Sequence, residues 1–467
     1  MSGREAVDRP GATQWSGRRV LVLGLGASGF AAARRLAGLE AKVKVTESAT
    51  SEAIEERAAR LRLEGVEVVT GGHDEVDADI AVASPGIPPH AAVMKELAAA
   101  GIEVISEVEL AFGLARCDFL AVTGTNGKTT TTGLLAAMLS ESGRRALAAG
   151  NIGLPLVDAV DEVGNEGVIA VEVSSFQLAG VKEFRPRVAV LLNVAEDHTD
   201  WHGGFDNYVA SKARIAMNQT PDDVFVFNRD DAAATSIAEE VEARAVPFSE
   251  SSTPEGGVGW DGARLLWRSR EVLSAHEVPL AGAAGREDVA AAAGAALEYG
   301  VDANAVRRAA KRFRPLPHRL EVVGRAGGVT YINDSKATNP HATLAATKGL
   351  SDVVLIAGGR AKGIDLSVLR ATAPPVTSVV ALGEASEEIE RAFDGIVEVT
   401  VVGSMDEAVS AAAIKAIPGG SVLLSPACAS LDMYASYVQR GEAFSRAVKE
   451  LAGGRSAEKA GEEHGDE

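Results

Sequence analysis

Short apolar runs alternate with amphipathic stretches along most of the chain, and the runs repeatedly end in polar or glycine-rich turns. Short continuous apolar runs predict strands buried on both faces, and the stretches between them predict helices, so the pattern reads as α/β with parallel sheets. Three such blocks follow one another. In the first, Arg19–Leu23 predicts a strand running into Gly24-Leu25-Gly26-Ala27-Ser28-Gly29 and a helix through Leu39. Lys42–Thr46 predicts the next strand, ending at Glu47, with further strands at Val66–Val69 and at Ile80–Ala83, the last leading into Ser84-Pro85-Gly86. In the second block Phe119–Val122 enters a glycine-rich turn and a helix; apolar runs at Val168–Val173 and Val188–Leu192 follow, then a helical stretch at Tyr208–Met217. The third block starts after Arg314-Pro315-Leu316-Pro317-His318-Arg319, whose prolines mark a linker. It places strands near Val329–Ile332, Val353–Ala357, Ser378–Leu382, Glu398–Val402 and Ser421–Leu424.

The most specific chemistry lies at 121–130, Ala-Val-Thr-Gly-Thr-Asn-Gly-Lys-Thr-Thr. Strand, tight turn and helix N-terminus together make a polyphosphate cradle: Gly124 and Gly127 let the backbone approach, and free N–H groups and the helix dipole favour an anion. Lys128 would neutralise terminal phosphates and the Thr129 hydroxyl would reach Mg²⁺. The spacing departs from the standard P-loop, because Val122 stands six positions before Lys128. A plain glycine-rich turn would account for the glycines but not for Lys-Thr-Thr directly after them. Downstream, Glu172 stands between valines near the end of its run, where a sheet presents a Mg²⁺ ligand or a base beside a phosphate loop. The loop Asn193–His198 should reach the same edge, which makes His198 a second metal candidate, although a loop histidine is more often a surface residue. Lys212 by itself reads as solvated. The first block carries a dinucleotide fingerprint with an acid after the second strand, which leaves NAD level with any other nucleotide or sugar-nucleotide. In the third block, polar clusters at Asn333–Pro340, Gly358–Gly363 and Ser425–Asp432 follow the first, second and last strands, the positions from which such sheets bind ligands.

Composition narrows the picture. A chain of 467 residues should fold as two to four domains. Its net charge of −19 argues against non-specific binding to nucleic acid or anionic membranes. Cys117 and Cys428 are too few for a disulfide framework and suit a reducing cytoplasm. No signal-peptide core or membrane-length apolar segment is present in the sequence. Residues 1–17 and 453–467 lack periodicity and read as disordered tails.

Taken in order, Thr123–Thr130, Gly150-Asn151-Ile152-Gly153, Glu172–Gln177, Asn193–His198, Leu316–Arg319, Asn333–Thr338 and Ser425–Asp432 resemble the Mur ligases, the ATP-dependent amide ligases of peptidoglycan precursor synthesis. The resemblance runs from about Val20 to about Leu451 and is nearest to the members that add D-glutamate to UDP-N-acetylmuramoyl-L-alanine. It implies an α/β fold of three domains: a Rossmann-like N-terminal domain (1–106) holding the UDP-sugar, a P-loop-type central ATPase domain (107–315), and a Rossmann-like C-terminal domain (316–467) that binds D-glutamate and closes over ATP. By resemblance, Ser28, Glu47, Ser48 and Gly86 contact uridine and pyrophosphate, and Asn151 and Gln177 contact the rest of that substrate. ATP lies on Gly124, Thr125, Asn126, Gly127, Lys128, Thr129 and Thr130, with Arg319 and Asp334 on the nucleotide and Lys336 toward the reacting phosphate. Thr129, Glu172, His198 and a carbamylated Lys212 hold Mg²⁺. Thr338, Lys362, Ser430, Leu431 and Tyr437 hold D-glutamate. Lys128, His198, Lys212 and Lys336 are thus the implied catalytic set, in a cytoplasmic monomer.

Three departures stand out. Glu47 and Ser48 occupy positions where Asp and Thr are expected, and Tyr437 stands in place of Phe. The family's G-x-H-N-x-x-N stretch reads Gly285-Arg286-Glu287-Asp288-Val289-Ala290-Ala291, so the histidine and both nucleotide-contacting asparagines are missing. Rival readings are another Mur ligase or a folylpolyglutamate synthase, a UDP-sugar-binding protein without ligase activity, and an NAD oxidoreductase resting only on Gly24–Gly29.

Overall fold

The computed structural model describes residues 14–73, 76–280, 282–314, 317–361 and 363–462. They form three sheets, one for each block of the sequence. The chain divides into two compact units: Met1–Val194 with His198–Glu277 and Asp288–Arg312, and Ala195–Asp197 with Val278–Glu287 and Phe313–Glu467. The first unit carries two sheets and the second carries one.

The first sheet contains β1 (Arg19–Leu23), β2 (Lys42–Glu47), β3 (Glu67–Thr70), β4 (Ile80–Ala83) and β5 (Glu103–Ser106), all parallel, in the order β3-β2-β1-β4-β5. The winding reverses between β1 and β4, and the turns leaving those two strands flank the crevice where such sheets take ligands. Close approach demands glycine there. A Cβ on Gly24, whose φ is 90°, would lie 2.7 Å from Ser84 Oγ, and one on Gly29 would lie 2.0 Å from the Gly24 carbonyl.

The second sheet contains β6 (Asp118–Thr123), β7 (Ala146–Gly150), β8 (Val168–Glu172), β9 (Val188–Leu191), β10 (Val224–Asn228), β11 (Arg244–Ser249), β12 (Val258–Trp260), β13 (Arg264–Trp267) and β14 (Arg270–Ser274). Their order is β14-β13-β12-β11-β10-β9-β6-β8-β7, with β6 interior between β8 and β9. Only β12, β13 and β14 pair antiparallel. The helix Glu107–Leu114 ties the two sheets together. Glu109 at its start accepts from the N–H groups of Lys182, Glu183 and Phe184 at 2.9, 2.7 and 3.1 Å, while Phe112 packs edge-on against Phe184.

The third sheet contains β15 (Glu321–Ala326), β16 (Val329–Asn333), β17 (Val353–Gly358), β18 (Val376–Leu382), β19 (Glu398–Val402) and β20 (Ser421–Ala427), in the order β15-β16-β20-β17-β18-β19. Apart from the antiparallel β15, the strands are parallel. The last strand therefore lies between the first two parallel ones, and the three polar loops singled out in the sequence leave three neighbouring strand ends.

At the termini the structure corrects one expectation. Trp15 is only 3% exposed within the first core, and the Gly17 N–H donates to the Glu40 carbonyl at 2.9 Å, so 14–17 belong to the fold. One indole burying its ring is enough to fix a segment that has no periodicity. At the other end the helix Tyr437–Glu462 runs past Gly453. Cys117 and Cys428 are both free and buried. Among the described residues no helix is long and apolar enough to cross a membrane.

Candidate active site

The phosphate loop leaves the interior strand β6 and turns at Gly127 into the helix Lys128–Glu141. Gly127 has φ 82°, and a Cβ there would lie 2.4 Å from Asp288 Oδ1 and 3.1 Å from Leu192 Cδ1; a Cβ on Gly124 would lie 2.8 Å from Leu192 Cβ. Both glycines are therefore required by sterics as well as by torsion. Asn193, just after β9, clamps the loop: its carbonyl receives the Thr125 N–H at 2.8 Å and its Oδ1 receives the Asn126 N–H at 2.9 Å. Thr125 Oγ1 lies 3.0 Å from the Tyr208 hydroxyl. Lys128 Nζ folds back onto the loop, donating to the carbonyls of Gly124 and Thr125, each at 2.8 Å. Thr129 and Thr130 are buried in the first turn of the helix.

Strand register places Glu172 beside Val122, at the carboxyl end of β8. Its side chain is 2% exposed, and Oε1 accepts from Asn151 Nδ2 at 2.8 Å. Oε2 is buried and has no hydrogen-bond partner among the described residues. A buried carboxylate oxygen without a donor is costly unless a cation or proton meets it, so this atom fits a hard metal ion. His198 adopts a left-handed backbone, φ 52°, and its ring packs against Phe176 with centroids 4.7 Å apart. Lys212, read from sequence as a solvated helix residue when taken alone, is 1% exposed; Nζ donates to the Gly124 carbonyl at 2.6 Å and lies 4.6 Å from the centre of the Tyr208 ring. Among the described residues no three or more His, Cys, Asp or Glu side chains cluster as a metal site. The remaining oxygen ligands of such an ion would come from hydroxyls, water, backbone carbonyls or substrate phosphates.

Asp288, at the position where an asparagine is expected, accepts from the Thr131 hydroxyl at 2.9 Å. Ala291 is fully buried within the helix Gly282–Tyr299. Gln177 is also buried, and its Oε1 accepts from the N–H and the hydroxyl of Ser174, both at 2.9 Å, in a capping box. That interaction fixes the turn after Glu172 and engages the side-chain oxygen of a residue expected to contact substrate.

At the first sheet, Glu47 closes over the glycine turn, accepting from the N–H groups of Leu25 at 2.7 Å and Ala49 at 2.9 Å. Burial raises its pKa, but the backbone donors of Ala49 and Leu25 outweigh that and hold it below the usual carboxylate range. Ser48 and Gly86 line a cavity of about 430 Å³ together with Pro88 and His73. His73, not singled out in the sequence, has Nδ1 at 2.9 Å from Thr46 Oγ1. Ser28 stands in the first turn of the helix Ala27–Gly38.

In the second unit, His318 and Leu320, on either side of Arg319, have φ of 65° and 46°. Backbone strain of this kind persists where the surroundings over-determine it, often at functional turns. Asp334 is buried, accepting from Ser425 Oγ at 3.0 Å and from the Leu320 N–H at 3.3 Å, and burial pushes its pKa up to about 7. Lys336 Nζ lies 4.4 Å from the centre of the Tyr437 ring, so the residue expected toward phosphate and one expected on the amino acid are neighbours. Ser430 is buried, while Leu431 is 61% exposed. Lys362 lies outside the described residues.

A phosphate loop beside a buried carboxylate marks a nucleotide-binding enzyme, and the chain belongs to the Mur ligase family: the MurD-like N-terminal domain matches residues 18–106, the Mur ligase middle domain 122–295, and the Mur ligase glutamate ligase domain 318–428. Among its relatives, the UDP-N-acetylmuramoylalanine–D-glutamate ligase of Acidobacterium capsulatum is 41% identical over 439 residues, 92% of this chain and 95% of that protein. The enzyme of the same name from Shouchella clausii is 41% identical over 92% of this chain and 96% of its own. Solved structures with the same three-domain fold include MurF from Acinetobacter baumannii, with TM-score 0.61 and 17% identity over 94% of this chain and 97% of that one. MurF from Thermotoga maritima in complex with ADP has TM-score 0.61 and 15% identity over 94% of this chain and 99% of that one.

Proposed function

We propose that this chain is an ATP-dependent ligase that joins D-glutamate to UDP-N-acetylmuramoyl-L-alanine, a cytoplasmic step of peptidoglycan precursor synthesis. The observation that carries the reading is the phosphate loop on β6 with the orphaned Glu172 oxygen beside it, in a chain 41% identical to D-glutamate ligases over nearly the full length of each.

A free carboxylate does not acylate an amine at neutral pH, because its leaving group is too poor. The L-alanyl carboxylate of the UDP-sugar therefore attacks the γ-phosphorus of ATP, ADP leaves, and an acyl phosphate forms. The D-glutamate amine attacks the acyl carbon, the tetrahedral intermediate expels phosphate, and the amine loses its proton. Gly124–Thr130 cradle the triphosphate and Lys128 offsets charge that shifts during transfer. Thr129, Glu172, His198 and a carbamylated Lys212 are the residues that would hold Mg²⁺, which when bound neutralises phosphate oxygens and orients the chain of phosphates. Ser28, Glu47, Ser48 and Gly86 take the UDP, with Asn151 and Gln177 further along the same substrate. Arg319 and Asp334 contact nucleotide, and Lys336 reaches the reacting phosphate. Thr338, Lys362, Ser430, Leu431 and Tyr437 take D-glutamate.

Phosphate release from ATP, measured with UDP-N-acetylmuramoyl-L-alanine and a panel of amino acids, tests the assignment. D-glutamate alone should support fast turnover. Preference for L-glutamate, meso-diaminopimelate or L-lysine would overturn the substrate, and NADH turnover without phosphate release would overturn the ligase chemistry.

A further inference from the structure

Arg440, on the first turn of the helix Tyr437–Glu462, is 2% exposed. Its guanidinium lies under the carboxyl ends of the neighbouring strands β16, β20 and β17. Nε donates to Ser335 Oγ at 3.1 Å and Nη2 to the Ser335 carbonyl at 2.9 Å; Nη1 donates to the carbonyls of Cys428 at 3.0 Å and Gly358 at 3.3 Å. Ser335, Gly358 and Cys428 belong to the three polar loops that the sequence reading set apart. The approach is built in. A Cβ on Gly359 would lie 2.1 Å from the Ala429 carbonyl and 3.1 Å from Arg440 Nη1, so glycine is needed where the loop passes that carbonyl, with the guanidinium close beside it. Ser335 Oγ in turn donates to the Tyr437 carbonyl at 2.8 Å, which closes the loop back onto the helix that carries Arg440.

Among the described residues the hydrogen-bond acceptors of this buried cation are all neutral oxygens. Burial draws its pKa down to about 10, with Cys428, Asp432 and Tyr434 opposing, so the cost of burying the charge is only partly offset. The planar guanidinium spreads its donors over three nitrogens in a fixed fork and here makes four bonds to three loops, more than the three that an ammonium can offer from a single point.

We infer that Arg440 is a positioning residue that locks the Ser335, Gly358 and Cys428 loops to one another and sets a buried positive charge beneath them, which favours a dicarboxylate amino acid at those loops. The choice of substrate class rests on the ligase reading; the locking of the loops does not.

The test uses the full-length Arg440→Lys protein, with Arg440→Met as a second variant and Arg391→Lys, an exposed helix position, as control. Hydrogen–deuterium exchange is followed in the ligand-free proteins, and KM for D-glutamate and for the UDP-sugar in turnover. Losing charge-assisted hydrogen bonds should raise KM for D-glutamate roughly tenfold or more in Arg440→Lys, with KM for the UDP-sugar within about twofold. Exchange should quicken together at the loops around Ser335, Gly358 and Cys428 while the strands stay protected. Unchanged exchange and an unchanged KM for D-glutamate in folded Arg440→Lys would overturn the inference. So would faster exchange across the whole third sheet with all KM values rising in parallel, since that marks a merely structural residue. If Arg440→Met fails to fold, the lysine variant decides alone. Should the wild type not use D-glutamate while the three loops still loosen together, the substrate reading falls and the locking role stands.

Discussion

Lys128 and Lys212 donate to one and the same carbonyl: Gly124 O receives Lys128 Nζ at 2.8 Å and Lys212 Nζ at 2.6 Å. Two ammonium groups from different helices converge on a single oxygen at the mouth of the phosphate loop. Like charges so placed repel, and anions relieve the repulsion in two ways. A triphosphate would draw Lys128 off its own loop, and a carbamate on Lys212 would remove the second charge altogether. The shared carbonyl would thus couple nucleotide binding to the chemical state of a lysine buried elsewhere in the same unit.

Lys128→Ala should abolish turnover. Removing a cation that stabilises charge in the transition state should cost a hundredfold or more in rate, about 3 kcal/mol. UDP-sugar affinity should persist, because Ser28, Glu47, Ser48 and Gly86 stand on the first sheet and Lys128 on the second. Calorimetry on the folded variant checks this; loss of UDP-sugar binding would contradict the division of ligands.

Much of this was legible in the sequence. Parallel strands buried on both faces are continuous apolar runs, so Arg19–Leu23 and Ile80–Ala83 have the bounds that the pattern predicts. Strands β12 to β14 gave no such signal, because they are short, antiparallel and interrupted by Arg264, Arg268, Arg270 and Glu271. At the site, valines around Glu172 announced a buried carboxylate. Ser174-x-x-Gln177 was equally readable as a capping box, yet its structural use was visible only once the donors were seen. Tyr208 and Asn193 hold the phosphate loop through contacts across distant sequence, and a pattern of periodicity carries no such information. Arg440 was hidden for the same reason: its partners are backbone carbonyls, which every residue has.

Asp334 predicts a pH dependence. Its folded pKa, about 7, lies above the ordinary value of 3.8, mainly through burial, with Ser425, Leu320 and Arg319 opposing. A carboxyl raised in this way contributes stability that is complete below the unfolded pKa and is lost as pH rises through the folded one. Ligand-free protein should therefore lose stability between about pH 4 and pH 7 and level off above, by roughly 2–4 kcal/mol from this group. Ser425 and Leu320 donate to different oxygens of Asp334, so Asp334→Asn keeps an acceptor for one of them and cannot ionise. At pH 8 it should melt at higher temperature than the wild type, while turnover falls with the loss of a nucleotide contact. Identical pH–stability slopes in the two proteins would show that Asp334 is ionised throughout.

Nucleotide choice should be relaxed. Where the family places two asparagines, Asp288 accepts from Thr131 and Ala291 is buried in a helix. A carboxylate only accepts and alanine does neither, so neither can offer the paired donor and acceptor of an amide to a purine edge. GTP or ITP should compete with ATP better here than in a relative that keeps both asparagines. Strict ATP selectivity in side-by-side competition would show that other residues read the base.

Lys212 should be carbamylated in the working enzyme. A bare ammonium at 1% exposure, in the same unit as Glu172 and His198, would be a like charge beside any metal they hold. The neutral amine attacks the carbon of CO₂ and loses a proton, and the resulting carbamate is an anion with two oxygens, the ligand type that Mg²⁺ prefers. Its remaining N–H can still donate to the Gly124 carbonyl, so the contact at 2.6 Å is compatible with the modification. Burial against the Tyr208 ring would shield the carbamate from water and slow its loss. Lys212→Ala should lose most activity, and small carboxylates added to the assay should restore part of it by filling the vacated oxygen site. Depleting bicarbonate should slow the wild type, and returning it should recover the rate. Carbon-13 NMR with labelled bicarbonate reads the modification directly, as a carbamate resonance present in the wild type and absent from Lys212→Ala. A fully active Lys212→Ala protein, or a wild type indifferent to bicarbonate and without that resonance, would remove the carbamate from the mechanism and leave Lys212 as a plain ammonium bracing the phosphate loop.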